Sequence, residues 1–178
     1  MLDLESQRLL FKRYEENDLP FIQMLVEDPL VMRFIGDGQP KSMQYANELL
    51  ARMFEQYVNF DVYGLHVLID KMTGERVGHA GIVAQVIDDA FELEVGYWIA
   101  PNYWNNGYGK EAAYALCKYA DEELELERYV SAVQVGNTAS EKIAYSNGMH
   151  IEKVIRMENK EVQIFVKENP FDHSAYLE

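Results

Sequence analysis

The stretch Trp104-Asn105-Asn106-Gly107-Tyr108-Gly109-Lys110-Glu111-Ala112 constrains this chain more than any other. An apolar run with strand character, residues 95–100, precedes it, and a run with helix character, residues 112–116, follows. Glycine, and less readily asparagine, takes a positive φ and so turns successive backbone N–H groups toward one point. The helix that starts there adds unpaired N–H donors and a partial positive charge. Strand, glycine-rich turn and helix N-terminus together make a site for an anion, most often phosphate.

The rest of the chain alternates strands and helices, with no linker, repeat or low-complexity tract. Residues 8–13 read as a first strand. Asp18 is placed to cap a short helix carrying Phe21, Ile22, Met24, Leu25 and Val26, which Asp28-Pro29 ends. A second helix is expected over 42–57, with Tyr45, Leu49, Met53 and Tyr57 on one stripe. Strands are expected at 63–69, 77–86 and 91–100, with a turn at 71–74 and another at Asp88-Asp89. The helix after Gly109 runs to about residue 123. A strand follows at 129–135, then a short helix at 138–147, where Thr138 and Glu141 have capping-box spacing and Gly148 supplies the stop. Residues 151–157 and 162–167 form a last hairpin, and the tail, 170–178, is expected to be loose. This order predicts one α/β (α+β) domain over 1–178, with a central mixed, mostly antiparallel twisted sheet of about six to seven strands flanked by about four helices.

Composition narrows the function classes. A 48% hydrophobic and 26% charged chain is of ordinary globular type, and no apolar run approaches the roughly 20 residues of a membrane span. Met1-Leu2-Asp3-Leu4-Glu5 carries acids before any apolar run, so no signal peptide is expected. The single cysteine, Cys117, permits no intrachain disulfide, which fits the cytoplasm, and its apolar neighbours suit a buried small side chain. The four histidines have no metal-ligand spacing, and no metal is expected. A net charge of −14 argues against nucleic acid as a partner. The same charge suits a cationic substrate such as a polyamine, an aminoglycoside or a basic protein terminus, or serves solubility alone.

Three readings of the glycine segment compete. A P-loop needs Ser or Thr after Lys110 and Gly five residues before it, but Glu111 and Asn105 stand there. Gly107, Gly109 and Ala112 fit a dinucleotide fingerprint. The loop before them is long for it, however, and the next strand ends without the acid that holds ribose. The third reading takes in more of the chain. Glu94-Val95-Gly96-Tyr97-Trp98-Ile99, Trp104-x-x-Gly107-Tyr108-Gly109-x-Glu111-Ala112 and Asn137-x-x-Ser140, with Gly148-Met149 after it, resemble the GNAT superfamily of acyl-CoA-dependent N-acetyltransferases. Within it the chain is similar to the RimJ/RimL-like branch, which acetylates ribosomal-protein N-termini. Ser6-Gln7-Arg8-Leu9-Leu10 and the segment from Thr73 to Gly81 share the likeness, which covers roughly residues 5–168.

The resemblance implies acetyl-CoA as cosubstrate, a sheet splayed at the strand pair that holds coenzyme A, and direct attack of an amine on the thioester. It implies that Trp104, Asn105, Asn106, Gly107, Tyr108 and Gly109 wrap the pyrophosphate. Trp104 stands in the family's Gln/Arg place, so its grip falls to its backbone N–H. Asn105 stands where the branch commonly has Gly, and Asn tolerates the left-handed conformation. Lys110 either pairs with a phosphate or is a solvated lysine. Trp98, Ile99 and Ala100 lie on the strand that bonds pantetheine through its main chain. Asn137 contacts the pantetheine arm or caps its helix. Glu92 and Glu94 share one strand face, and Glu94 is the expected base, or else anchors a cationic acceptor. The family's frequent acid tyrosine falls on Ala144, and Tyr145 lies about 100° further round the helix. Ser140 is therefore the expected acid, with an ordinary first-turn serine as the alternative. Phe34, Tyr45, Phe54 and Tyr57 either line an acceptor pocket or pack helices. The acceptor amine is open, the chain is a monomer or homodimer, and a non-catalytic acyl-CoA-binding module is the second function class.

Overall fold

The computed structural model describes residues 4–169. The tail expected to be loose lies outside them, as do residues 1–3. Seven strands form one sheet: β1 (Leu9–Arg13), β2 (Gly64–Asp70), β3 (Arg76–Ile87), β4 (Ala90–Ile99), β5 (Arg128–Gln134), β6 (His150–Met157) and β7 (Lys160–Glu168). Their order is β1-β2-β3-β4-β5-β7-β6. Every neighbouring pair is antiparallel except β4 and β5, which run parallel and share the single register pair Glu94↔Val130. The sheet is thus two antiparallel halves joined at one place.

Five helices flank the sheet: α1 (Leu19–Glu27), α2 (Pro29–Met32), α3 (Met43–Asn59), α4 (Tyr108–Glu122) and α5 (Thr138–Ser146). α4 and α5 pack over one face, around Leu68, Val95, Leu116 and Tyr129. α1 and α3 pack over the other, around Ile22, Leu50, Met53 and Val67. Val67 and Leu68 are adjacent and buried in opposite layers, as expected of a strand covered on both faces.

Asp28-Pro29 ends α1 at Glu27 as expected, with Asp28 extended, and a second short helix follows at once. Pro29 opens α2, because its missing N–H is needless in a first turn, and Asp28 Oδ1 accepts the Leu30 N–H at 2.8 Å. Two local expectations are corrected. Asp18 does not cap α1. Its carboxylate is buried, accepting the Glu15 N–H at 2.8 Å and pairing with Arg76 at 2.6 Å. Thr138 and Glu141 form no capping box. Asn137 caps α5, taking the Ser140 N–H on Oδ1 at 3.4 Å, while Glu141 reaches back to the Gly136 N–H at 3.3 Å.

Candidate active site

The site begins where β4 and β5 part. The Val95 carbonyl accepts a bond from Ser131 Oγ of β5 at 2.7 Å. Main-chain groups alternate along a strand, so Val95, Tyr97 and Ile99 aim theirs toward β5, while Gly96, Trp98 and Ala100 aim theirs at β3. The Ala100 N–H accordingly donates to the Val77 carbonyl at 2.9 Å. Beyond Val130 no ladder pairs β5 with β4, so the inward groups of Tyr97 and Ile99 face an opening. Of the three positions expected to offer main-chain groups there, only Ile99 does so. Trp98 and Ala100 are committed to β3, and Trp98 reaches the cleft through its indole instead.

Side chains alternate too, and β4 sends Glu92, Glu94 and Trp98 to the face covered by α3 and Tyr97 and Ile99 to the face covered by α4. The two carboxylates that share a face have separate fates. Glu92 is held bidentately by Arg128 of β5, at 2.9 and 3.2 Å, and that arginine also binds Glu152. Glu94 turns into the seam. Its Oε1 accepts the Ala132 N–H of β5 at 3.2 Å, and its Oε2 accepts the side-chain amide of Gln85 on β3. Burial raises its pKa from 4.5 to about 7, the Ala132 bond pulling the other way.

Ser140 comes to the opening from the opposite face. It sits in the first turn of α5, half-buried, with the Tyr97 hydroxyl beside it. Burial pushes the Tyr97 phenol up to about 12, so it stays protonated. A continuous strand pair would wall Ser140 off from Glu94, but through the splay both line one cleft of about 540 Å³. The cleft also meets Tyr45, Arg52 and Gln56 of α3, the β6–β7 hairpin at Glu158, and Asn137. Phe34 and Tyr45 are cleft residues, whereas Phe54 and Tyr57 belong to the α3 packing layer. Tyr145 is more than half exposed and packs edge-on against Phe165, away from the opening.

The glycine loop leads from β4 into α4. Asn105 and Gly107 have φ of 61° and 82°, the left-handed turns that the segment required. Gly107 is the N-cap of α4 and offers no side chain, so the first-turn N–H groups are left for a ligand. Trp104 is partly exposed and its indole Nε1 donates to the Ile99 carbonyl at 2.7 Å, tying loop to strand. Asn106 Nδ2 donates to the Trp104 carbonyl at 3.0 Å. Tyr108 donates its hydroxyl to Asp70 at 2.6 Å, and Gly109 packs by Tyr97 and Ile99. Lys110 is exposed. A residue outside the motif braces the turn. Arg8 Nη1 donates to the Asn106 carbonyl at 3.0 Å, while its Nε pairs with Glu111 at 2.6 Å and its guanidinium lies 4.4 Å over the Tyr108 ring.

Gln85, Tyr97 and Arg8 escape a reading of the sequence, although each carries a faint signal. Gln85 is the one polar residue in the apolar run from Ala80 to Ile87, Tyr97 falls opposite Glu94 by alternation, and Arg8 stands just before β1. Cys117 is buried at the base of the cleft, its thiol pushed up to about 11 by burial. His66 and His79 are packing residues, bonded through Nδ1 to the Gly64 carbonyl and the Tyr14 hydroxyl.

Residues 8–150 match the family model described as an acetyltransferase (GNAT) domain. YkkB, an uncharacterized protein of Bacillus subtilis (strain 168), is 31% identical over 174 residues, covering 93% of this chain and 95% of its own length. YnaD of the same organism, described as an uncharacterized N-acetyltransferase, is 25% identical and covers 85% of this chain and 84% of its own. The fold recurs in an acetyltransferase of Agrobacterium tumefaciens str. C58, with a TM-score of 0.80 at 23% identity and 95% of each chain covered. It recurs also in RimL, a ribosomal L7/L12 alpha-N-protein acetyltransferase solved with coenzyme A, with a TM-score of 0.74 at 15% identity over 92% of this chain and 95% of that one.

Proposed function

The chain belongs to the GNAT acetyltransferases, and from that membership we propose that it moves the acetyl group of acetyl-CoA to a primary amine by direct attack in a ternary complex. The observation that carries this reading is the Glu94 carboxyl: desolvated, at the parting of β4 and β5, and in one cleft with Ser140. The residues present suit coenzyme A. The two left-handed turns and the α4 first turn form a cradle for phosphate. The inward main-chain groups of Tyr97 and the inward Ile99 N–H suit an extended, amide-bearing arm, the Ile99 carbonyl being taken by the Trp104 indole. Bound there, acetyl-CoA supplies an activated acyl carbon with a thiolate leaving group.

Attack needs a neutral amine, a polarised carbonyl and a proton for sulfur. With a pKa of about 7, Glu94 is substantially ionised at neutral pH and takes the proton that the amine nitrogen sheds as the C–N bond forms. Main-chain N–H groups in the seam polarise the carbonyl. As the C–S bond breaks, the Ser140 hydroxyl hydrogen-bonds the thiolate and passes it a proton while taking one from solvent, so that no free alkoxide forms, and the Tyr97 hydroxyl beside it orients that relay. Asn137 holds Ser140 in place through its cap, with its amide nitrogen left for the pantetheine arm. Lys110, exposed beside the cradle, answers a phosphate charge.

The acceptor is a protein N-terminus or a small-molecule amine. RimL is described as acting on the α-amino group of L7/L12, which makes N-terminal peptides the natural first probe. We also propose a single domain spanning 1–178, working in the cytoplasm as a monomer or homodimer. Among the described residues no helix is long and apolar enough to cross a membrane.

Free-thiol release from acetyl-CoA against peptides, spermidine, aminoglycosides and amino acids tests the reading. We expect turnover on one class. Glu94→Gln should lower kcat by about 100-fold or more while leaving acetyl-CoA affinity unchanged. Unchanged turnover in that variant would remove Glu94 from the mechanism.

A further inference from the structure

We infer that the acceptor amine carries an anionic group, and that a second hollow beside the cleft receives it. This hollow measures about 330 Å³ and is lined by Arg33, Phe34, Gln134, Val135, Lys160 and Glu161. It shares Phe34 and Gln134 with the main cleft, so the two adjoin there as one groove. Arg33 comes from the end of α2 and Lys160 from the start of β7.

The chain has 30 acidic and 16 basic residues. Among the described residues Arg13, Arg33, Arg52, Lys110, Lys142, Arg156 and Lys160 form no ion pair, and three of them, Arg33, Arg52 and Lys160, gather at this groove. Aromatic rings hold the two arginines instead. The Arg33 guanidinium lies 5.1 Å from the Phe34 centroid and that of Arg52 5.5 Å from the Tyr45 centroid, which leaves their N–H forks free. With Lys41 included, the basic residues on the walls outnumber the acids, Glu94, Glu158 and Glu161. Lys41 is already engaged by Asp37 at 2.7 Å and lies in the field of Glu158.

In the outer hollow the unpaired Arg33 and Lys160 face one acid, Glu161, while Glu94 lies in the main cleft, so the groove favours a ligand with its amine by Glu94 and an anion beyond Phe34 and Gln134. A polyamine or aminoglycoside would bring its further cations against Arg33, Arg52 and Lys160. Because Phe34 and Gln134 separate the two hollows, the anion does not sit on the carbon that bears the amine. An acidic side chain in the residues that follow a peptide N-terminus meets both requirements. The acceptor class is therefore a polypeptide amino terminus followed by Asp or Glu, a conclusion that rests on the acetyl-transfer reading above.

Three tetrapeptide amides of equal length test it: Ala-Asp-Asp-Gly, Ala-Asn-Asn-Gly and Ala-Lys-Lys-Gly. Each is assayed for thiol release with acetyl-CoA and, separately, for equilibrium binding by calorimetry in the presence of coenzyme A. We expect kcat/KM for the acidic peptide to exceed that for the neutral one by about tenfold, with the lysine peptide slowest. The ratio should fall toward one in the Arg33→Gln/Lys160→Gln variant, and as salt is raised from about 0.05 to about 0.5 M. Equal rates and equal binding for the acidic and neutral peptides would overturn the inference, as would a preference that survives in the double variant. Transfer to none of the peptides or other amines, with the acidic peptide still bound more tightly, would uphold the anion subsite and sink the acetyl-transfer reading instead.

Discussion

Glu94 differs from Glu92 by its partner. Arg128 neutralises Glu92 and spends it on joining β4 to β5, whereas Glu94 receives only uncharged donors, the Gln85 amide and the Ala132 N–H. Uncharged donors orient a carboxylate without lowering its pKa as a cation would, and burial then dominates. A base must be ionised to act, so kcat/KM should rise with pH through about 7. The Gln85 N–H favours the charged form. Gln85→Leu should therefore shift that limb to higher pH and lower the rate at neutral pH by about tenfold. A pH–rate profile checks this, and a limb that stays put would show Gln85 to be a packing residue. Spacing alone told us that the two glutamates share a face. The placement of Arg128 beside Glu92, after 36 intervening steps of chain, is a tertiary fact that no local pattern contains.

The turn into α4 is the element that the sequence showed most fully. Gly107 and Asn105 were legible as left-handed positions because few residues other than Gly, Asn and Asp adopt them readily. A Cβ on Gly107 would sit 3.5 Å from Arg8 Nη2, so space is available and the cost of substitution is in the backbone. Gly107→Ala should cost about 1–2 kcal/mol of loop strain and raise KM for acetyl-CoA with kcat little changed, as steady-state kinetics would report. Arg8→Ala should act in the same direction by freeing the Asn106 carbonyl, and a protein that folds and binds normally without Arg8 would refute its bracing role. The strands and long helices were legible for the same local reason, periodicity. The misreadings fell where local signals compete. Asp18 has cap chemistry but is drawn to Arg76, 58 residues away, and Asn137 outcompetes Thr138 as the α5 cap. The choice among Trp98, Ile99 and Ala100 turned on main-chain parity, which is set by register with β3 and has no sequence signature.

At the scale of the whole molecule, buried titrating groups set opposing pH dependences. Burial holds His66 down to about 4 and His79 down to about 3, so both fold neutral while the unfolded chain protonates them near 6.5. Their contribution is present above pH 6.5 and is lost as pH falls, at about 1.4 kcal/mol per unit for each. Glu94 acts the other way, its folded pKa lying above 4.5, so its contribution is present at low pH and lost as pH rises through about 7. We expect the thermal midpoint to decline below pH 6.5, and to decline more steeply in Glu94→Gln, where the opposing group is gone. A flat profile in calorimetry would mean that the histidines are not held neutral. The parting of β4 and β5 has a mechanical side as well. Between them the two half-sheets share one ladder bridge, Glu94↔Val130, the side-chain ties of Glu92, Glu94, Ser131 and the Asp88–Lys153 pair, and the apolar contact of Ile87 with Val130. Under load the molecule yields along that line while each half keeps its own pairing. On the proposed function, a reactant lodged there would take the place of the absent strand contacts, and the molecule should be stiffest while loaded and soften as product leaves.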